Sequence, residues 1–213
     1  MGGDRHTFKL LFAISAVVLM AAGCMNASVS KMDAYSSRPV KSGPLGIFVQ
    51  SDIARYCRAG LGVFPFDART YSQDTGKYIA EMYYQELLQK RPFQQVKMIS
   101  RPVETEAEAI WWGRQEGCDL VMKSTVLYYM DGTGNVPTQL KTRIQILDVR
   151  SGSTLWLVEQ EASSEPGMDL EIGWVTVSGA PAQRCRMLAR VMAGQFSRYL
   201  VDPLLKEDHG KEG

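Results

Sequence analysis

Histidine is almost missing from this chain of 213 residues: His6 lies in the first ten and His209 in the last five, so residues 25 to 205 hold none. The body therefore offers no Ser-His or Cys-His nucleophile pair and no histidine-metal site. Excess charge is missing too. With 24 Lys and Arg against 23 Asp and Glu the formal net charge is +1, and the basic residues are scattered rather than gathered into the positive stripe that nucleic-acid phosphates require. Complete nucleotide loops are absent, because Gly60-Leu61-Gly62 and Gly132-Thr133-Gly134 continue neither into a third glycine nor into Gly-Lys-Ser/Thr. Glu104, Glu106, Glu108 and Asp131 make no metal or acid pair, since helical positions two apart point in different directions. Ser28-x-x-Lys31 has the form of a penicillin-interacting motif, yet none of the companion motifs follows. No catalytic residue, metal, cofactor, small-molecule substrate or nucleic-acid partner is expected.

What is present begins with three zones at the start. Arg5 and Lys9 precede an apolar run from Leu10 to Ala22, and Gly23-Cys24 follows. The run is shorter than the ~20 residues a durable membrane span needs, and its place and small-residue exit fit a secretory signal over residues 1–23. Leu19-Met20-Ala21-Ala22-Gly23-Cys24 resembles the bacterial lipobox, with Ala21 where that family usually has Leu. The resemblance implies cleavage before Cys24, lipidation of Cys24 and anchoring by two or more acyl chains, which hold a protein where a single chain does not. Met25 stands where the family's inner-membrane retention signal has Asp, which implies the periplasmic face of the outer membrane. The cleaved chain would carry 22 basic and 22 acidic side chains, so partners must be found by shape and local patches.

Residues 24–45, rich in Ser, Pro and Gly without apolar period, read as a tether with a root-mean-square reach of roughly 25 Å and a full stretch of about 70 Å. A single domain over residues 46–203 follows. Leu45 to Val49 reads as a short added strand, and Gly60 to Asp67 as a buried strand closed by a turn. A helix over residues 73–89 places Ile79, Met82, Tyr83 and Leu87 inward and Lys77, Glu81 and Gln85 outward. Phe93 to Ile99 is a strand, and the next helix opens on Glu104, Glu106 and Glu108, with Ala107, Ile110 and Trp111 as its apolar side and Gly117 as its stop. From Asp119 the period becomes two: Leu120, Met122, Ser124, Val126 and Tyr128 share one face, and Thr142, Ile144 and Ile146 share one face of the following strand. Thr154 to Glu161 completes a meander after a turn at 148–153. Residues 162–180 read as a long loop around Trp174-Val175-Thr176-Val177. The last helix, 182–200, aligns Cys185, Leu188, Ala189, Met192, Phe196 and Leu200; Pro203 ends it, and 204–213 reads as a disordered tail. The order implies an α/β (α+β) fold, a mixed sheet of about five strands packed against about three helices.

These pieces in this order resemble a family of envelope lipoproteins. Val63-Phe64-Pro65-Phe66 closing the first strand, Glu116-Gly117-Cys118-Asp119-Leu120-Val121 before the third, and Ile146-Leu147-Asp148-Val149-Arg150-Ser151-Gly152-Ser153-Thr154-Leu155-Trp156 across a hairpin look like the curli-secretion-channel lipoproteins. They are similar also to the Pel exopolysaccharide-export lipoprotein, the penicillin-binding-protein activators and the amino-terminal domain of TolB. The resemblance implies a non-enzymatic scaffold or oligomeric accessory subunit of an export assembly, and its second implication is a regulator contacting a peptidoglycan synthase. The expected partners are the membrane, through the lipid, and an envelope protein or further copies of the chain. Lys123, Arg143 and Gln145 oppose the core on strands with short turns, which argues against membrane-spanning hairpins.

Three cysteines remain beside Cys24. Cys57 and Cys185 are a candidate disulfide pair, with three free thiols as the other possibility, and Cys118 reads as a small buried residue. Trp112, Tyr129 and Trp174 are candidate partner contacts, because aromatics beside loops form binding hot spots; packing beneath those loops is the alternative.

Overall fold

Between residues 60 and 130 the chain runs strand, helix, strand, helix, strand, and the direction of its two crossovers sets the layers. The computed structural model describes residues 38–132, 136–167, 170–172, 175–177 and 179–202. The expected signal peptide, Cys24, Trp174, Pro203 and the 204–213 tail lie outside them. The elements are β1 (Lys41–Ser42), β2 (Gly46–Val49), β3 (Gly60–Val63), α1 (Gln73–Lys90), β4 (Gln95–Met98), α2 (Glu106–Gln115), β5 (Leu120–Met130), β6 (Thr138–Asp148), β7 (Thr154–Ser164), β8 (Leu170–Ile172), β9 (Val175–Val177) and α3 (Cys185–Val201).

The main sheet has seven strands in the order β1-β7-β6-β5-β3-β4, with β2 also on β7. Strands β4, β3 and β5 are parallel and the rest antiparallel. Because β3 lies between β4 and β5, the crossover through α1 leaves it in one direction and the crossover through α2 returns past it in the other. Two crossovers of the same right hand in opposite directions place their helices on opposite faces. Accordingly α1 and α3 cover one face, over a core that includes Tyr83, Trp156 and Phe196. Helix α2 covers part of the other, over Phe64, Val121, Leu147 and Val149. The expected mixed α/β class and single domain hold, with more strands than the periodicity revealed.

The two long helices follow their apolar periods. Ser72 caps α1 by accepting from Asp74 N at 3.2 Å, and Arg91, at φ 53°, turns the chain out of it. All of Ile79, Met82, Tyr83 and Leu87 are buried, as are Cys185, Leu188, Ala189, Met192, Phe196 and Leu200 of α3.

Four expectations about the strands need correction. Tyr128 does not share the inward face of β5: a register shift between Val126 and Tyr128 adds a residue, so Tyr128 is exposed and Tyr129 packs on the core. Strand β7 runs past Glu161 to Ser164, because Ala162 and Ser164 continue its buried face opposite Leu140 and Thr138. The stretch read as a long loop then contains the β8-β9 hairpin. At the other end, Lys41 and Ser42, within the expected tether, pair with Ser163 and Ala162.

The β6-β7 turn forms as read. Asp148 Oδ1 accepts from Arg150 N at 2.9 Å and Ser151 N at 2.7 Å. Gly152 takes φ 74°, a conformation that costs any residue with a Cβ about 1–2 kcal/mol.

Candidate interaction surface

Helix α2 is capped by Thr105, whose hydroxyl accepts from Glu108 N at 3.2 Å, while the Glu108 carboxylate reaches back to Glu104 N at 2.9 Å. This reciprocal cap fixes the helix start. Its buried line is Ala109 and Gly113, flanked by the half-buried Ile110 and Trp112. A Cβ at Gly113 would stand 2.5 Å from Val121 Cγ1 and 2.9 Å from Val149 Cγ2, so the helix axis approaches the sheet here as closely as a backbone can. The expected apolar side of Ala107, Ile110 and Trp111 is therefore rotated. Both Ala107 and Trp111 are exposed, because the line of contact follows the smallest residues rather than the largest apolar ones.

The rotation exposes a large aromatic side chain on this face. Trp111 is 51% exposed and stands edge-on to Trp112 at 4.3 Å between ring centroids. Arg101 lies over the Trp112 ring, its guanidinium carbon 3.5 Å from the centroid. Beside them, Lys97 on the edge strand β4 is ion-paired with Glu116, whose carboxyl it holds below the ordinary range. A pair of indoles with a guanidinium over one of them has the composition of an interface hot spot. Trp112, one of the candidate contacts named from sequence, is half-buried, and Trp111 is the more exposed of the two.

Tyr129 is half-buried rather than at a free loop edge. Its ring lies 5.5 Å from that of Tyr71, and burial beside the Tyr129 hydroxyl pushes the Tyr78 phenol well up. This tyrosine cluster joins α1 to the far end of β5.

Among the described residues, Cys57, Cys118 and Cys185 are free. Cys57 is exposed near the start of β3, and Leu61 pairs with Leu120 at the start of β5. Cys185 is buried at the opposite end of β5, its Sγ donating to Met130 O at 3.4 Å. The length of β5 separates them, about 33 Å at about 3.3 Å per residue, and a disulfide requires Cα atoms within about 7 Å. The expected Cys57–Cys185 pair is not formed. Cys118 is half-buried and helps line the second core.

One crevice of about 470 Å³ opens beyond the carboxyl end of β3, between the first turns of α1 and α2. Open parallel sheets bind ligands at such switch points. Here the charged groups are already paired: Arg69 donates to both oxygens of Asp67 at 3.0 and 2.9 Å and lies 3.1 Å from Glu104. Among the described residues no group of three or more His, Cys, Asp and Glu side chains is arranged to hold a metal. No helix among them is long and apolar enough to cross a membrane.

The fold is similar to that of a solved bacterial protein, PelC. The PelC dodecamer from Paraburkholderia phytofirmans matches with a TM-score of 0.52 at 14% identity, covering 77% of this chain and 97% of that one. A point variant of the same PelC, also a dodecamer, matches with 0.50 at 14% identity over 77% of this chain and 98% of that one. The C-terminal domain of LpoB from Salmonella enterica is similar over 52% of this chain and 91% of its own, at 15% identity and a TM-score of 0.35. No family model and no curated protein sequence matches the chain.

Proposed function

We propose that this chain is a non-enzymatic lipoprotein, anchored through Cys24 at the periplasmic face of the outer membrane, whose domain self-associates as an accessory subunit of an envelope export assembly. The observation that carries the reading is the match to nearly the whole length of a protein that forms dodecamers. The lipobox-like run at 19–24 supports the anchor. The paired carboxylates of the β3 crevice and the histidine-free body support contact rather than chemistry as the mode of action.

A ring needs two unlike patches that meet head to tail. Trp111, braced by Trp112 and Arg101, is one of them. Tyr129 acts as the core support of its tyrosine cluster, and Trp174, next to β9 in the sequence, is a second candidate contact.

The test is sedimentation of the full acylated chain in detergent. The reading expects an oligomer, and Trp111→Ala should shift it toward monomer without lowering the unfolding midpoint. A strict monomer at high concentration overturns the subunit reading. Failure of metabolic fatty-acid label to reach the wild-type chain, with Cys24→Ser as the reference, overturns the anchor.

A further inference from the structure

Arg184 precedes helix α3, which carries Arg186, Arg190 and Arg198, with no Asp or Glu between Arg184 and Val201. All four arginines are exposed. Among the described residues none of them is in an ion pair. Arg198 Nε donates to Gly194 O of its own helix. The neighbouring acids are few. Asp131 is engaged at the helix start, accepting from Cys185 N at 2.9 Å, Glu86 of α1 reaches to 3.6 Å from where a Cβ on Gly194 would be, and Asp202 follows the helix. Helical spacing sets Arg186, Arg190 and Arg198 on one outward face together with Met187 and Val201, which are 41% and 40% exposed. Four arginines against these three acids leave the surface locally positive by one charge, on a chain whose net charge is +1.

The same face lies where the chain leads toward the proposed anchor. On its flank, Ser42 Oγ donates to Gln195 Oε1 at 2.7 Å, and Gln195 Nε2 donates to Gly43 O at 3.0 Å. The first described residue is Arg38, and the covalent reach from there to position 24 is about 50 Å at most. An anchor at Cys24 therefore leaves this side of the domain within reach of the bilayer.

We infer that the arginine face of α3 docks the domain on the anionic phospholipid headgroups of the membrane that holds the Cys24 anchor. The inference rests on the anchor reading above. Guanidinium groups match phosphate oxygens in bidentate geometry, and each basic side chain at an anionic surface favours the bound state by about fivefold. Met187 and Val201 add shallow apolar contact between the charges. Docking through α3 turns the α1-α3 layer to the membrane and leaves α2, with Trp111, facing away and free for a partner.

The test uses the acylated full-length chain in vesicles of phosphatidylcholine alone and of phosphatidylcholine mixed equally with phosphatidylglycerol. Phenylglyoxal modification of each arginine is followed by peptide mass. Arg186, Arg190 and Arg198 should react about fivefold more slowly on the mixed vesicles, the difference should vanish at high salt, and Arg101 and Arg150 on the other side of the sheet should not change. Equal rates on the two vesicles overturn the docking. Slow reaction on both, and in detergent, also overturns it, because the face is then covered by another copy or by the chain's own acids. The N-terminal peptide mass in the same spectra reports acylation. An unmodified Cys24 fails the anchor reading and this proposal together, whereas an acylated Cys24 with equal arginine rates fails the docking alone.

Discussion

Tyr83 Oη donates to Gln160 Oε1 at 2.7 Å inside the main core, and Gln160 Nε2 donates onward to Met192 O at 2.9 Å. One side chain from each of α1 and β7 thus links both helices of that layer to the sheet. Removing only the hydroxyl, by Tyr83→Phe, leaves a buried amide oxygen without its donor, which costs about 1–3 kcal/mol. Tyr83→Phe combined with Gln160→Leu should cost less than the two single changes summed, because the double variant orphans fewer groups. Urea denaturation of the four members of the cycle measures this, and simple additivity would show that the pair is not coupled.

How much of this was legible in the sequence follows from what fixes each face. In α1 and α3 many apolar residues recur at helical spacing, and all of the inward positions read from sequence are buried. In α2 the contact line is set by Ala109 and Gly113, whose small size gives no hydrophobic signal, so Trp111 and Trp112 exchange roles. In β5 a single bulged residue reverses the alternation at Tyr128, and no local residue type announces it. The distance between Cys57 and Cys185 depends on which end of β5 each meets, a tertiary fact. The arginines of α3 are plain in the sequence. Their significance is hidden there because whole-chain charge averages them against acids on other faces.

Gly113 gives opposite signs for local propensity and packing. Alanine favours an exposed helix interior over glycine by about 1 kcal/mol, but its Cβ would meet Val121 Cγ1 at 2.5 Å and Val149 Cγ2 at 2.9 Å, atoms of buried side chains on β5 and in the β6-β7 turn. Overpacking of this kind costs about 1–3 kcal/mol. Gly113→Ala should therefore destabilise despite improving the helix, and a raised melting temperature would show that α2 moves freely off the sheet.

The three thiols should react in the order of their exposure. Cys57 is exposed, Cys118 is half-buried with its thiol pushed up by burial, and the Cys185 thiol is pushed up to about 12 by burial first and then by Asp131. The thiolate is the reactive species. At neutral pH, maleimide should add to Cys57 within the native state, to Cys118 more slowly, and to Cys185 only when urea opens the core. Failure of Cys57 and Cys185 to label in urea without reductant would show them bonded.

On the open side of the sheet, Glu159 Oε1 accepts from Arg143 Nε at 2.9 Å and Nη2 at 2.6 Å, and Lys141 lies 3.6 Å from its other oxygen. The Arg143 hydrogen bonds hold the Glu159 carboxyl below its ordinary value, against a smaller opposing effect of burial. A carboxylate whose pKa is depressed on folding adds stability above its unfolded value, near pH 4.3, and that contribution is lost as the pH falls through the folded value. The Arg143 side chain is 52% exposed, so screening limits the pair to about 1 kcal/mol or less. Arg143→Met should thus lower stability slightly at pH 7 and flatten its decline below pH 4.3, without changing the alkaline limb. Denaturant unfolding of both chains from pH 3 to pH 7 measures the two slopes; parallel curves through the acid range would mean that Glu159 titrates independently of Arg143.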